Sequence, residues 1–101
     1  MTFSQGDIIK FNAGFRLAVV ISRKMFQEKT GQSIVCPITS KSRPYPTRIP
    51  IGSGEETKGF VICDHIKTID IHARKPIFVE RIAESDLDKI LAIVHSEIEK
   101  D

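Results

Sequence analysis

The run Leu17-Ala18-Val19-Val20-Ile21 constrains this chain more than any other feature. Five consecutive apolar side chains imply a strand buried on both faces, extending over residues 16–22. A second run, Ser33-Ile34-Val35-Cys36-Pro37-Ile38-Thr39, follows after ten mostly polar residues. Its alternation puts Ile34, Cys36 and Ile38 on one face and Val35, Pro37 and Thr39 on the other. Pro37 lacks a ladder donor, which predicts an edge strand or a bulge just before Thr39.

The remaining elements follow from the same rules. Residues 7–12 read as a strand, and Ala13-Gly14-Phe15 reads as the tight link that turns it into the run at Arg16. Residues 23–32 read as a loop, or a loop with one helical turn around Met25 and Phe26. Two prolines make Lys41 to Arg48 an exposed loop, carrying three cations and the only tyrosine, Tyr45. Residues 48–51 form a short strand and Gly52-Ser53-Gly54 a turn. Acidic residues follow that turn, so it is no phosphate loop. Residues 58–71 read as one bent strand or two joined ones, and 77–79 as a last strand. Ser85 is positioned to cap a terminal helix whose Leu87, Ile90, Leu91, Val94 and Ile98 form one apolar stripe. The expected fold is α+β and mainly β: five or six short strands in a curled sheet or small SH3-like open barrel, with a C-terminal helix.

At 101 residues the chain is one domain, and association with a second copy is a natural source of stability. No apolar run approaches the ~20 residues of a membrane helix, and the first six residues lack a signal pattern, so the expected location is cytoplasmic. Cys36 and Cys63 sit inside apolar runs and read as buried free thiols. His65, His72 and His95 are too scattered to read as metal ligands. Residues 1–81 carry a net charge of +6 and residues 82–101 a net −4. A basic body with an acidic terminal helix suits a polyanion binder, and equally an ordinary solvated surface.

Five collinear segments carry a family resemblance: Gly6-Asp7-Ile8, Arg16 to Ser22, Cys36-Pro37-Ile38-Thr39-Ser40, Lys58-Gly59-Phe60-Val61, and Cys63-Asp64-His65-Ile66-Lys67-Thr68-Ile69-Asp70 with His72-Ala73-Arg74. Together they resemble the MazF/PemK toxin endoribonucleases, the last block most closely the PemK branch. The resemblance implies a CcdB/MazF-like barrel, a homodimer, and cleavage of single-stranded mRNA without metal or other cofactor. It also implies a partner antitoxin with an acidic, flexible tail. RNA supplies its own nucleophile in the 2′-hydroxyl, so the protein has to orient it, move protons and stabilise the charge at phosphorus. The products would be a 2′,3′-cyclic phosphate and a 5′-hydroxyl end.

By the resemblance, Arg16 and Thr39 are the phosphate-handling residues, and Asp64 is a candidate general base. His65 stands where the family commonly has glutamine and is a candidate acid or base, because imidazole titrates nearest neutrality. Ser40, Lys41, Arg43, Tyr45, Arg48 and Lys67 would line an RNA groove, cations on phosphates and the ring stacked on a base. In isolation each has a plainer reading: a surface arginine closing a hairpin, a strand threonine, an aspartate paired with a cation, a solvated loop. The chain departs from the family in three places. Its first link is only Ala13-Gly14-Phe15, Leu17 replaces a proline, and Ile62 replaces an arginine. These departures motivate an alternative, a family member that binds RNA or an antitoxin peptide without cutting. A gyrase poison of the CcdB type ranks last, since such proteins act through a C-terminal tryptophan and this chain has none.

Overall fold

The computed structural model of the protein describes residues 2–11 and 16–101. The strands are β1 (Asp7–Phe11), β2 (Arg16–Val20), β3 (Gln32–Thr39), β4 (Arg48–Ile51), β5 (Gly59–Ile62), β6 (Lys67–Asp70) and β7 (Ile77–Arg81). The helices are α1 (Lys24–Thr30), α2 (Ile71–Arg74) and α3 (Glu84–Ile98). All strand pairings are antiparallel, in one open sheet of order β4-β5-β3-β2-β1-β7, with β6 also on β3. Among the described residues seven strands replace the expected five or six, because residues 58–71 resolve as two strands and Ile71 turns into α2. The Ala13-Gly14-Phe15 link and Asn12 lie outside the described residues, but Phe11 opposite Arg16 confirms an antiparallel pair on either side.

Alternation in β1, β2 and β3 feeds two cores, one on each face of the sheet. Ile8, Val19, Cys36, Val61 and Cys63 pack with Leu87, Ile90 and Val94 of α3 on one face. Phe3, Ile9, Phe11, Ala18, Val20, Val35, Ile69 and Ile71 form the other. Burying a side chain such as Ile90 fully contributes about 1.5–3 kcal/mol. The stripe on α3 holds except at its end, where Ile98 stands 74% exposed. Among the described residues no helix is long and apolar enough to cross a membrane.

Three expectations are corrected. First, β3 is an interior strand in unbroken register with β2, Leu17 opposite Ile38 through Val20 opposite Val35. The N–H of Ile34 donates to Ser22 Oγ and its carbonyl accepts from Ile21, so even-numbered residues turn their backbone toward β2. Pro37 therefore faces the other edge, where pairing with β6 ends at Val35 and pairing with β5 begins at Ile38. Its missing donor falls in the gap between two partners.

Second, residues 23–32 contain a seven-residue helix, α1, rather than a loop. Gly31 ends it at φ 74, donating its N–H to the Gln27 carbonyl. The buried Gln27 side chain accepts from the Phe3 N–H at 2.8 Å and from the Ser33 hydroxyl at 3.3 Å, tying α1 to the N-terminus and β3.

Third, α3 starts at Glu84 with Ala83 as its N-cap residue, so Ser85 makes no cap. The anchoring group comes from far away in sequence. Glu55, in the β4–β5 turn, accepts from the Ala83 N–H at 2.8 Å and from the Gly52 N–H at 3.0 Å. That carboxylate serves the N-cap N–H as the third helical residue does in a local capping box.

Candidate nucleic-acid interface

Strand register gathers the first group of site residues. Leu17 pairs with Ile38, so Arg16 and Thr39, one step beyond, stand opposite each other across β2 and β3. Arg16 pairs on its other side with Phe11, Thr39 with Phe60, and Phe60 with Pro50. Directly opposed residues project to the same face. Phe11, Arg16, Thr39, Phe60 and Pro50 thus form one row across five strands. Arg16 is exposed, and Thr39 and Phe60 are half-buried.

The Thr39 hydroxyl is placed by a local turn, donating to the Lys41 carbonyl at 3.0 Å and facing the Lys41 N–H at 3.4 Å. Ser40 and Lys41 follow directly and are exposed. Arg74 was visible in sequence only as part of a motif. Asp70 caps α2 by accepting from the Ala73 N–H, and the short helix carries the Arg74 guanidinium over the Phe11 ring, 5.1 Å from its centroid. Phe11 is the cross-strand neighbour of Arg16, so a second guanidinium joins the same end of the row. Only the fold brings these residues together, because more than fifty positions separate Arg16 from Arg74.

Asp64 and His65 lie elsewhere. Asp64 lies in the turn that follows β5, beyond Ile62 and outside the Arg16–Thr39 row. Its carboxylate is engaged: Oδ1 accepts from the Thr47 hydroxyl at 2.6 Å and lies 3.7 Å from Arg48 Nε, and Oδ2 lies 3.7 Å from His65 Nε2. The Thr47 hydroxyl, with Arg48 and His65 behind it, holds the Asp64 carboxyl below the usual carboxylate range. That favours a permanent anion over a group that takes up protons near neutral pH. Burial and the facing Asp64 push the Glu97 carboxyl of α3 the other way.

Arg48 belongs to the same second cluster. Arg48 pairs with Ile62 and lies two residues along β4 from Pro50, so it emerges on the same face of the sheet as the Arg16–Thr39 row. Its guanidinium lies 5.3 Å from the Tyr45 ring centroid and donates to Ser42 Oγ at 3.4 Å. Lys67 on β6 pairs with Val35 of β3 and is exposed, as is Arg43 in the 41–47 loop. The three histidines occupy separate elements: the turn after β5, α2 and α3. On the opposite side of the sheet, Met25, Phe26, Ile66, Leu91, Val94 and Ile98 line an open apolar groove rimmed by Arg23 and Lys29.

The sequence matches, over residues 4–97, the family model described as PemK-like, MazF-like toxin of type II toxin–antitoxin systems. It is 35% identical over 83 residues to the endoribonuclease toxin MazF of Escherichia coli K12, covering 82% of this chain and 74% of that protein. Among solved structures, MazE–MazF (form I) from Deinococcus radiodurans superposes with a TM-score of 0.90 at 23% identity, over 99% of each chain. An endoribonuclease in complex with its cognate antitoxin from a mycobacterial species superposes at 0.85 and 16% identity, over 98% of this chain and 97% of that one. At these identities the superpositions establish the fold.

Proposed function

Because the chain belongs to the PemK-like, MazF-like toxin family, we propose that it is an endoribonuclease that cuts single-stranded mRNA by attack of the RNA's own 2′-hydroxyl. The observation that carries this is the row holding Arg16 opposite Thr39, with Arg74 over the neighbouring Phe11. An arginine and a threonine opposed on adjacent strands, whose backbones lie about 5 Å apart, can present a guanidinium fork and a hydroxyl to the non-bridging oxygens of one phosphate. Arg16 stabilises the charge that builds at phosphorus, Thr39 orients the group, and Arg74 adds positive potential. In-line attack then leaves a 2′,3′-cyclic phosphate and a 5′-hydroxyl.

Proton transfer falls to His65 more naturally than to Asp64, whose carboxylate is kept ionised by Thr47, Arg48 and His65 itself. His65 is exposed beside Asp64, in the turn after β5 and outside the Arg16–Thr39 row, so a homodimer that brings one copy's His65 toward the other's Arg16 completes the set. Lys41, Arg43 and Lys67, with Ser40, hold the strand's phosphates on either side. The exposed Met25, Ile66 and Ile98 around the cation-rimmed groove support further association, and an antitoxin tail combining acidic and apolar residues matches that lining.

The test is a long RNA incubated with the purified protein and EDTA. Discrete fragments ending in cyclic phosphate are expected, together with growth arrest on expression that Arg16→Ala relieves. Salt-sensitive binding of intact RNA without cutting would favour the non-catalytic alternative instead.

A further inference from the structure

We infer that Tyr45 is a one-sided platform for a single unpaired nucleobase next to the cleavage point, and that Arg48 is the positioning residue that builds it. The inference rests on the endoribonuclease reading and adds to it a site for base preference. Tyr45 to Arg48 close a turn through the Arg48 N–H and the Tyr45 carbonyl at 3.0 Å, with Pro46 presetting the backbone inside it. The Arg48 guanidinium covers one face of the ring, while the side chain as a whole stays 59% exposed. One face is therefore backed by a planar cation and the other is open.

The backing has two polar neighbours, and the turn that carries it is pinned separately. Arg48 Nε is buried without a hydrogen-bond partner among the described residues, and Asp64 Oδ1 lies 3.7 Å from it. One terminal nitrogen reaches Ser42. Thr47 locks the turn to the β5–β6 connection twice, through its hydroxyl to Asp64 and its carbonyl to the Cys63 N–H at 2.9 Å. Asp64 thus gains a structural duty, holding Thr47 and neutralising Arg48. A guanidinium held this way stacks better than it binds a phosphate, since its carboxylate partner already balances its charge. An open aromatic face on a rigid turn accepts a base without paying much ordering entropy.

The platform shares a face with Arg16 and Thr39. Arg48 lies two strands over and two residues along from Thr39, about 12 Å away by ordinary sheet spacings. A base stacked on Tyr45 belongs to a nucleotide flanking the cut rather than to the attacking one. Stacking tolerates any base and favours the larger purine surface, so the expected signature is a graded preference at one flanking position.

The experiment sequences the fragment ends from a random single-stranded RNA pool cut by wild type, Tyr45→Phe, Tyr45→Leu and Arg48→Lys, with kcat and KM on one defined RNA. Tyr45→Leu is expected to flatten the preference at one flanking position and raise KM about tenfold, with a smaller effect on kcat. Tyr45→Phe, which keeps the ring, retains the preference. Arg48→Lys keeps the charge but loses the planar backing, and it weakens the preference at that same position. An abasic nucleotide there raises KM for wild type but adds little to Tyr45→Leu. Wild type that cuts with the same profile and KM as Tyr45→Leu overturns the platform alone. Wild type that neither cuts nor binds RNA overturns the endoribonuclease reading and the platform with it.

Discussion

Glu55 and Asp86 face each other as two buried carboxyl groups where the β4–β5 turn meets the first turn of α3. Burial works to raise the Glu55 carboxyl, but the N–H groups of Ala83 and Gly52 and a hydrogen bond with Asp86 outweigh it and leave it below the usual range. Burial and the neighbouring Glu55 raise Asp86, against a weaker pull from Lys89. The pair is satisfied when Asp86 carries the proton and donates it to Glu55.

The signs for pH dependence are opposite for the two partners. Asp86 stabilises the fold below its ordinary range, and that contribution is lost as pH rises through its raised folded value. Glu55 stabilises above its ordinary range and is lost as pH falls through its depressed one. Asp86→Asn keeps a donor toward Glu55 and removes the titration. It is expected to gain about 1 kcal/mol over wild type at pH 8, or ~4–8 °C in Tm, and to gain little at pH 4. Thermal melts across that range are the check, and parallel profiles for the two proteins would count against the shared proton.

Arg16 offers a sharper chemical test than simple deletion. Lysine keeps its charge but loses the planar fork that spans two phosphate oxygens. Arg16→Ala should lower kcat by about 10²–10³, the usual cost of one transition-state donor, and Arg16→Lys should recover only part of it. Thr39→Val, which keeps the shape of the strand, should lower kcat by about tenfold or more. Circular dichroism on each variant separates these losses from unfolding.

The elements legible in the sequence are those whose burial is written locally. The apolar run at Leu17 and the alternation from Ile34 to Ile38 give β2 and β3 and their two faces, and the stripe from Leu87 to Val94 gives α3. What was hidden depends on partners distant in sequence. Helix α1 turns only Gln27 fully inward, and its binding partners Phe3 and Ser33 lie on other elements, so no apolar period announces it. The anchor of α3 is Glu55, 28 residues before Ala83, while the nearby Ser85 made the local pattern look complete. Pro37 argued for an edge or a bulge because its interior position is acceptable only where β6 gives way to β5. Arg16 and Thr39 were legible as strand ends, but their opposition, and the approach of Arg74, are products of register.

Cys36 and Cys63 are fully buried in the core beneath α3. Burial, with the second thiol and nearby carboxylates, pushes Cys36 to about 12, and burial with the nearby carboxylates pushes Cys63 to about 11. The thiolate is the reactive form, so both should resist iodoacetamide at pH 8 in the folded protein. Mass spectrometry is expected to find no adduct after an hour without denaturant and two adducts in 6 M urea. Rapid native labelling would mean that the face under α3 opens far more easily than its packing implies.

Gly59 couples stability to the site more directly. It opens β5 at φ +145, a conformation that L side chains rarely adopt, and a Cβ there would press on the Thr39 carbonyl oxygen and come within 3.3 Å of the Ile38 side chain. Because Thr39 pairs with the next residue, Phe60, relieving the contact means moving the end of β3 away from β5. That displaces the hydroxyl from its place opposite Arg16. Gly59→Ala is therefore expected to cost about 1–3 kcal/mol from backbone strain alone, and to lower kcat even at temperatures where the variant is fully folded. Denaturant melts give the first quantity, and cleavage rates at 15 °C give the second. A destabilised variant with wild-type kcat when folded would show that Thr39 need not stay where β5 holds it.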